Sequence, residues 1–173
     1  PGTALADASY LVTATATDSA GNTSAASSGV TVLVDTAAPT APTLSGTISA
    51  NTSTPQLTGT AEANATVNVY DGDTSLAQAS AGGDGTYTIT VSALSDGSHS
   101  LTAKATDAAG NTSLAGAAFT ILIDTATPTA PTITGTSPTN DATPSLSGTA
   151  EAGATVTVYD GGISLGQTTA GAG

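Results

Sequence analysis

Six residues of this chain carry side-chain oxygens at places where they could do chemistry together: Asp35, Glu62, Asp107, Asn111, Asp124 and Glu151. Carboxylates and amides are hard oxygen donors and poor nucleophiles, so their natural task is to hold a hard cation. A Ca²⁺ ion takes about six to eight such oxygens at roughly 2.3 to 2.6 Å. The composition gives these acids little else to pair with, because 13 Asp and Glu stand against a single Lys or Arg, for a net charge of −12. Carboxylates crowded into one place would repel each other until a cation joined them.

Other chemistries find less material. The chain has no cysteine and one histidine, His99, and its one basic side chain is Lys104. A nucleophile and base would have to come from His99 with a serine, or from paired carboxylates in a deep cleft. His99 has Tyr10 at the matching place one repeat earlier, so it is expected to be structural. The run Gly82 to Gly85 is a turn and not a phosphate loop, since neither a helix nor a loop lysine follows it. An enzyme is therefore not expected. The strong negative charge argues against nucleic acid and anionic lipid as partners. No apolar run approaches the ~20 residues that span a bilayer, so no membrane insertion is expected.

The acidic residues recur because the chain repeats. Val32-Leu-Val-Asp-Thr-Ala-Ala-Pro-Thr-Ala-Pro42 returns as Ile121-Leu-Ile-Asp-Thr-Ala-Thr-Pro-Thr-Ala-Pro131, 89 positions later. At this offset residues 1–37 match 90–126 and residues 127–173 match 38–84 without a gap, pairing Asp18 with Asp107, Asp35 with Asp124 and Glu62 with Glu151. The expected organisation is the C-terminal part of one repeat (1–37), a complete repeat (38–126) and the N-terminal part of the next (127–173).

No 3.6-residue apolar stripe is sustained, and β-branched residues dominate between glycine-rich breaks, so the fold class is all-β. In the complete repeat, strands are expected near 42–47, 55–60, 66–71, 76–81, 86–91, 99–106 and 117–124. Asp71-Gly72, Asp84-Gly85 and Asp96-Gly97 supply turn chemistry between them. Period-two alternation selects Val67, Val69, Tyr87, Ile89, Val91, Leu101, Ala103, Ala105, Phe119, Ile121 and Ile123 for the buried face. Val12, Ala14, Ala16, Val30, Val32 and Val34 take the same places in the first partial repeat, and Val156 and Val158 in the last. Seven short strands at these spacings describe tandem immunoglobulin-like β-sandwiches. Tyr10 stands where a tyrosine corner would hydrogen-bond back across a turn. A core built from small aliphatics with a single Phe is thin, and without cysteine no disulfide can support it.

Strand order then says where the acids meet. In an antiparallel sandwich the loops after strands two, four and six share one pole, which brings Glu62, Asp84, Asp107 and Asn111 together. Asp35 ends the preceding repeat's last strand at that same pole. The expected calcium site is thus Asp35, Glu62 and Asp107, completed by Asn111 and linker carbonyls. Asp124 and Glu151 open the corresponding site one repeat on, whose remaining loop lies beyond residue 173. Pro39, Pro42, Pro128 and Pro131 restrict φ and favour an extended linker.

The seam Val34-Asp-Thr-Ala-Ala-Pro39, the loop Ala105-Thr-Asp-Ala-Ala-Gly-Asn-Thr-Ser113 and the segment Leu146-Ser-Gly-Thr-Ala-Glu-Ala-Gly-Ala-Thr-Val156 together resemble bacterial immunoglobulin-like repeats. The resemblance is to the repeats of giant Gram-negative surface adhesins and biofilm-associated proteins, and it covers the whole chain. It implies type I secretion to the cell surface, end-to-end stacking and Ca²⁺ at or near domain junctions. Extracellular calcium modules bind with Kd of about 10⁻⁴ to 10⁻³ M, which fills them only outside cells. The expected role is a spacer in a secreted or surface adhesin, its partners being neighbouring repeats of the same chain. Contact with a host or abiotic surface, a glycan or like repeats would come through other parts of the parent protein. The alternative is a glycan- or protein-binding module, for which Tyr70 and Tyr159 are the available aromatic platforms.

Overall fold

The structure, a computed structural model, describes residues 2–172. The chain divides into two compact units, Pro1–Thr125 and Ala126–Gly173. Every element among the described residues is a strand, and no helix is long and apolar enough to cross a membrane.

The first unit holds β1 (Ala8–Val12), β2 (Val30–Val34), β3 (Ser49–Ala50), β4 (Gln56–Thr60), β5 (Thr66–Asp71), β6 (Thr74–Ser80), β7 (Thr86–Thr90), β8 (Gly97–Thr106) and β9 (Phe119–Ile123). The last seven make a two-sheet sandwich. One sheet has the order β3-β9-β8-β5-β6, and the other pairs β4 with β7. All pairings are antiparallel except β3 with β9, which is parallel.

Alternation did set the faces. Leu57 from β4 and Tyr87 and Ile89 from β7 pack against Val67, Val69, Leu101, Ala103, Ile121 and Ile123 of the larger sheet, and all are buried. Val91 and Ala105 are buried as the period-two pattern requires, while Phe119 is half-buried at the margin of the core. The hairpin β5–β6 closes through Gly72 and Asp73, with Gly72 at φ +57° supplying the left-handed residue.

The strand expected at 42–47 is divided between the sheets. Thr43 and Ser45 bond alongside β4, through Thr43 N–H to Thr60 O at 2.8 Å and Ser45 N–H to Thr58 O at 2.8 Å. The chain then crosses the end of the core, and Ser49–Ala50 pairs with Leu122 and Ile123 of β9. Gly46 makes that crossing possible, because a Cβ there would meet Leu57 Cδ2 at 2.9 Å.

A second correction concerns the partial repeats. β1 and β2 pair in register from Ala8↔Val34 to Val12↔Val30. Their supposed inward residues are exposed all the same, with Val12 at 48%, Val30 at 63% and Val32 at 40%. Ala14 and Ala16 are also exposed, and Val34 is half-buried. Alternation defines a face, but only an opposing sheet buries it. In the second unit β10 (Thr155–Asp160) pairs with β11 (Ile163–Thr169), leaving Val156 and Val158 half-buried.

Candidate cation site at the repeat junction

The loop that leaves β8 is built by Asp107. Its Oδ1 accepts hydrogen bonds from Ala109 N–H at 2.8 Å and Asn111 N–H at 2.9 Å, and its Oδ2 accepts from Asn111 Nδ2 at 2.8 Å. Gly110 turns the chain at φ +95°, and Asp107 N–H closes the loop onto Asn111 O at 3.0 Å. An aspartate that captures backbone N–H groups a few residues ahead nucleates such a turn from purely local sequence. Asp18 and Asn22 repeat the arrangement, at 2.9 Å to Ala20 N–H, 2.8 Å to Asn22 N–H and 2.9 Å to Asn22 Nδ2. Donation by the asparagine side chain, with help from the loop amides, holds the Asp18 and Asp107 carboxyls below the usual carboxylate range. Asp84 is lowered too, by Thr86 N–H at 3.0 Å and Thr86 Oγ1 at 2.8 Å.

Asn111 has a second proton on Nδ2, and it donates to the main-chain carbonyl of Asp35 at 3.0 Å. Asn111 therefore touches the Asp107 carboxylate and the Asp35 main chain, though not the Asp35 carboxylate. Asp35 itself caps the linker, its Oδ1 accepting from Ala37 N–H at 3.1 Å. From the other side, Asp7 Oδ1 accepts from Thr36 N–H at 3.1 Å and Thr36 Oγ1 at 2.9 Å. The complete repeat has the same clasp, with Asp96 Oδ1 taking Thr125 N–H at 3.1 Å and Thr125 Oγ1 at 2.8 Å. Neither clasp was foreseen, although the joint recurrence of Asp7 with Thr36 and Asp96 with Thr125 at the repeat offset could have revealed it.

Glu62 sits in the turn after β4, where its carbonyl accepts from Ala65 N–H at 3.1 Å and Asn64 takes φ 64°. Glu151 occupies the equivalent turn of the second unit, with its carbonyl on Ala154 N–H at 3.0 Å. Asp124 follows β9 and bonds through its N–H to Ala50 O at 3.0 Å. Among the described residues no three Asp, Glu or His side chains come close enough to hold a metal ion. The oxygens brought together do not form a ready calcium shell. Asn111 Nδ2 stands between Asp107 Oδ2 and Asp35 O, which is the place a bridging cation would take. An ion there would need that amide turned to offer its oxygen, and Glu62 or linker carbonyls drawn in.

The first two repeats also each have a corner residue at the start of the sixth strand. Tyr10 donates its hydroxyl to Ala6 O at 2.9 Å, as a tyrosine corner does. His99 stands at the matching position and places Nε2 2.9 Å from Ser95 O and Nδ1 2.7 Å from Asp71 Oδ2. Of the two candidate platforms, Tyr70 has the Lys104 ammonium 5.9 Å from its ring centroid, and Tyr159 is 61% exposed.

Seven strands in two sheets, a corner bond and a thin aliphatic core define an immunoglobulin-like β-sandwich. Residues 43–125, most of the complete repeat, match the bacterial Ig-like domain family. Over 126 residues the chain is 43% identical to chitinase A1 of Niallia circulans, a stretch that takes in 67% of this chain and 18% of the chitinase. The chain thus corresponds to less than a fifth of that relative's length.

Proposed function

We propose that the chain is a non-catalytic spacer from a secreted or cell-surface bacterial protein of the adhesin or biofilm-associated kind, stacking Ig-like repeats to give reach. The observation that carries this reading is the clamped linker. Asp7 holds Thr36 from the preceding repeat while Asn111 holds the Asp35 carbonyl from the following one. A joint gripped from both sides transmits direction, which is what a spacer needs and what a loosely tethered binding module does not. The uninterrupted repeat supports the same reading.

Calcium enters this proposal as the ion that would stiffen the joint further. With no ready shell, binding would be coupled to rearrangement of Asn111 and recruitment of Glu62, so its affinity would fall toward the weak end of extracellular sites, about 10⁻³ M. Small-angle scattering and thermal melting of an array with two whole repeats test both parts. A narrow spread of inter-repeat distances supports the spacer, and a freely jointed array would overturn it. A rise in Tm with millimolar Ca²⁺, lost in Asp107→Ala, supports the ion; no response would remove calcium and leave the spacer.

The likeness to a chitinase favours a second reading, an accessory domain in an exported polysaccharide-degrading enzyme. Retention of the chain on insoluble chitin, weakened by Tyr70→Ala, would favour a binding role of that kind over a spacer.

A further inference from the structure

Both ring nitrogens of His99 face groups that can only accept. Nδ1 lies 2.7 Å from the Asp71 carboxylate and Nε2 lies 2.9 Å from the Ser95 carbonyl. A neutral imidazole has one N–H, and would set a bare nitrogen lone pair against an oxygen at one of the two contacts. Only the imidazolium donates at both. We propose that His99 is a charged, doubly donating corner that makes the complete repeat pH-responsive, in contrast to the preceding repeat with its tyrosine corner.

The chain supplies its own control. Ala6, which accepts from Tyr10, and Ser95, which faces His99, are equivalent positions of the two repeats. The corner bond is thus made twice, once by an uncharged phenol and once by a ring that needs a proton to complete its contacts. What His99 adds is the reach to Asp71. It ties the loop between β7 and β8 to the end of β5, where the β5–β6 hairpin turns. The histidine and aspartate side chains are 13% and 32% exposed, so water competes only partly for the pair.

The surroundings favour the cation. Asp71 comes from β5, and the other carboxylates on the adjoining segments are Asp73 in the β5–β6 turn, Asp96 before β8 and Asp124 after β9; Tyr70 of β5 and Lys104 of β8 occupy alternate positions of their strands and lie against each other. β9 sets Ile121 opposite His99 in the sheet. The Asp71 hydrogen bond, then the Ser95 carbonyl, raise the imidazole pKa above 6.5 against the opposing effect of burial. A raised folded pKa means that this stabilisation is fully present below the unfolded value, about 6.5, and is lost as pH rises through the folded one. The loop at 92–96 keeps Leu94 N–H on Ser53 O at 2.8 Å. Deprotonation therefore loosens the corner and leaves the sandwich folded.

The single histidine makes the test unambiguous, because its C2 proton is the one imidazole signal in an NMR titration of the full chain. The expected result is a pKa above 6.5 that falls in Asp71→Asn, with Tm declining between pH 6 and 9 in the parent chain and staying level in His99→Tyr. A histidine titrating at or below 6.5, or unmoved by Asp71→Asn, overturns the proposal, as does an unchanged Tm profile in a folded His99→Tyr. Should His99→Tyr fail to fold, the NMR comparison with Asp71→Asn decides alone.

Discussion

The side-chain amide of Asn111 donates to the main-chain carbonyl of Asp35 at 3.0 Å, across a separation of 76 residues. It joins the loop after β8 to the point where the preceding repeat's last strand runs out. The same nitrogen holds Asp107 Oδ2 at 2.8 Å, so one amide organises both the loop and the joint.

Asn111→Ala should therefore act at two places. Losing a half-buried hydrogen bond of about 1 kcal/mol should speed amide exchange at Thr36 and Ala37 about fivefold, with little change in global stability. The Asp107 carboxyl should also rise back toward 3.8, since the Asn111 side chain is the largest cause of its lowering. Exchange mass spectrometry and carboxylate NMR read the two effects, and unchanged values of both would dissociate Asn111 from the joint.

Tyr87 donates its hydroxyl to Thr43 O and so fastens the stretch beside β4 to the core. Tyr87→Phe should cost about 1 kcal/mol in denaturant unfolding with the slope unchanged. Burial pushes this phenol up from 10.0 to about 12. Its contribution is full below pH 10 and disappears as pH climbs toward 12, when the folded chain must ionise a buried group. Alkaline unfolding should be postponed in Tyr87→Phe relative to its own neutral-pH stability.

Gly59→Ala should be more damaging than its size implies. A Cβ at residue 59 would lie 2.0 Å from Thr43 O and 2.6 Å from the Tyr87 hydroxyl oxygen. The backbone of one strand or the corner of the core must shift, at a cost of roughly 1 to 3 kcal/mol. A Tm within experimental error of the parent chain would show that the neighbouring strand yields easily.

Much of the fold could be read from the chain because its signals are local. The alternation of β5, β7, β8 and β9, the Asp-Gly turns and Tyr10 each depend on a few consecutive residues. The division of the first strand depends on what lies across the core, where Gly46 passes Leu57, and no local pattern encodes that. Strand order placed Asn111 at the end of the preceding repeat's last strand, where it bonds the Asp35 carbonyl, and grouped it with Asp35 and Asp107. It treated each as an oxygen looking for an ion, whereas Asp107 is occupied by its own loop and Asn111 contributes its donor end. Residue type and pole position fix neighbourhood; the direction of each hydrogen bond depends on loop geometry that only the folded chain displays.

The two-residue strand β3 has one more consequence. It lies along the outer side of β9, and the far edge of the same sheet, β6, pairs with β5 through an irregular register at Val69 and Tyr70. One border is too short, and the other too kinked at its hairpin end, to offer a long, flat row of unpaired amides. Where similar repeats are tethered at about millimolar effective concentration, such a row would invite one repeat to add its strands to the next. A short parallel fringe on one side and a kinked hairpin on the other disfavour strand exchange between one repeat and the next.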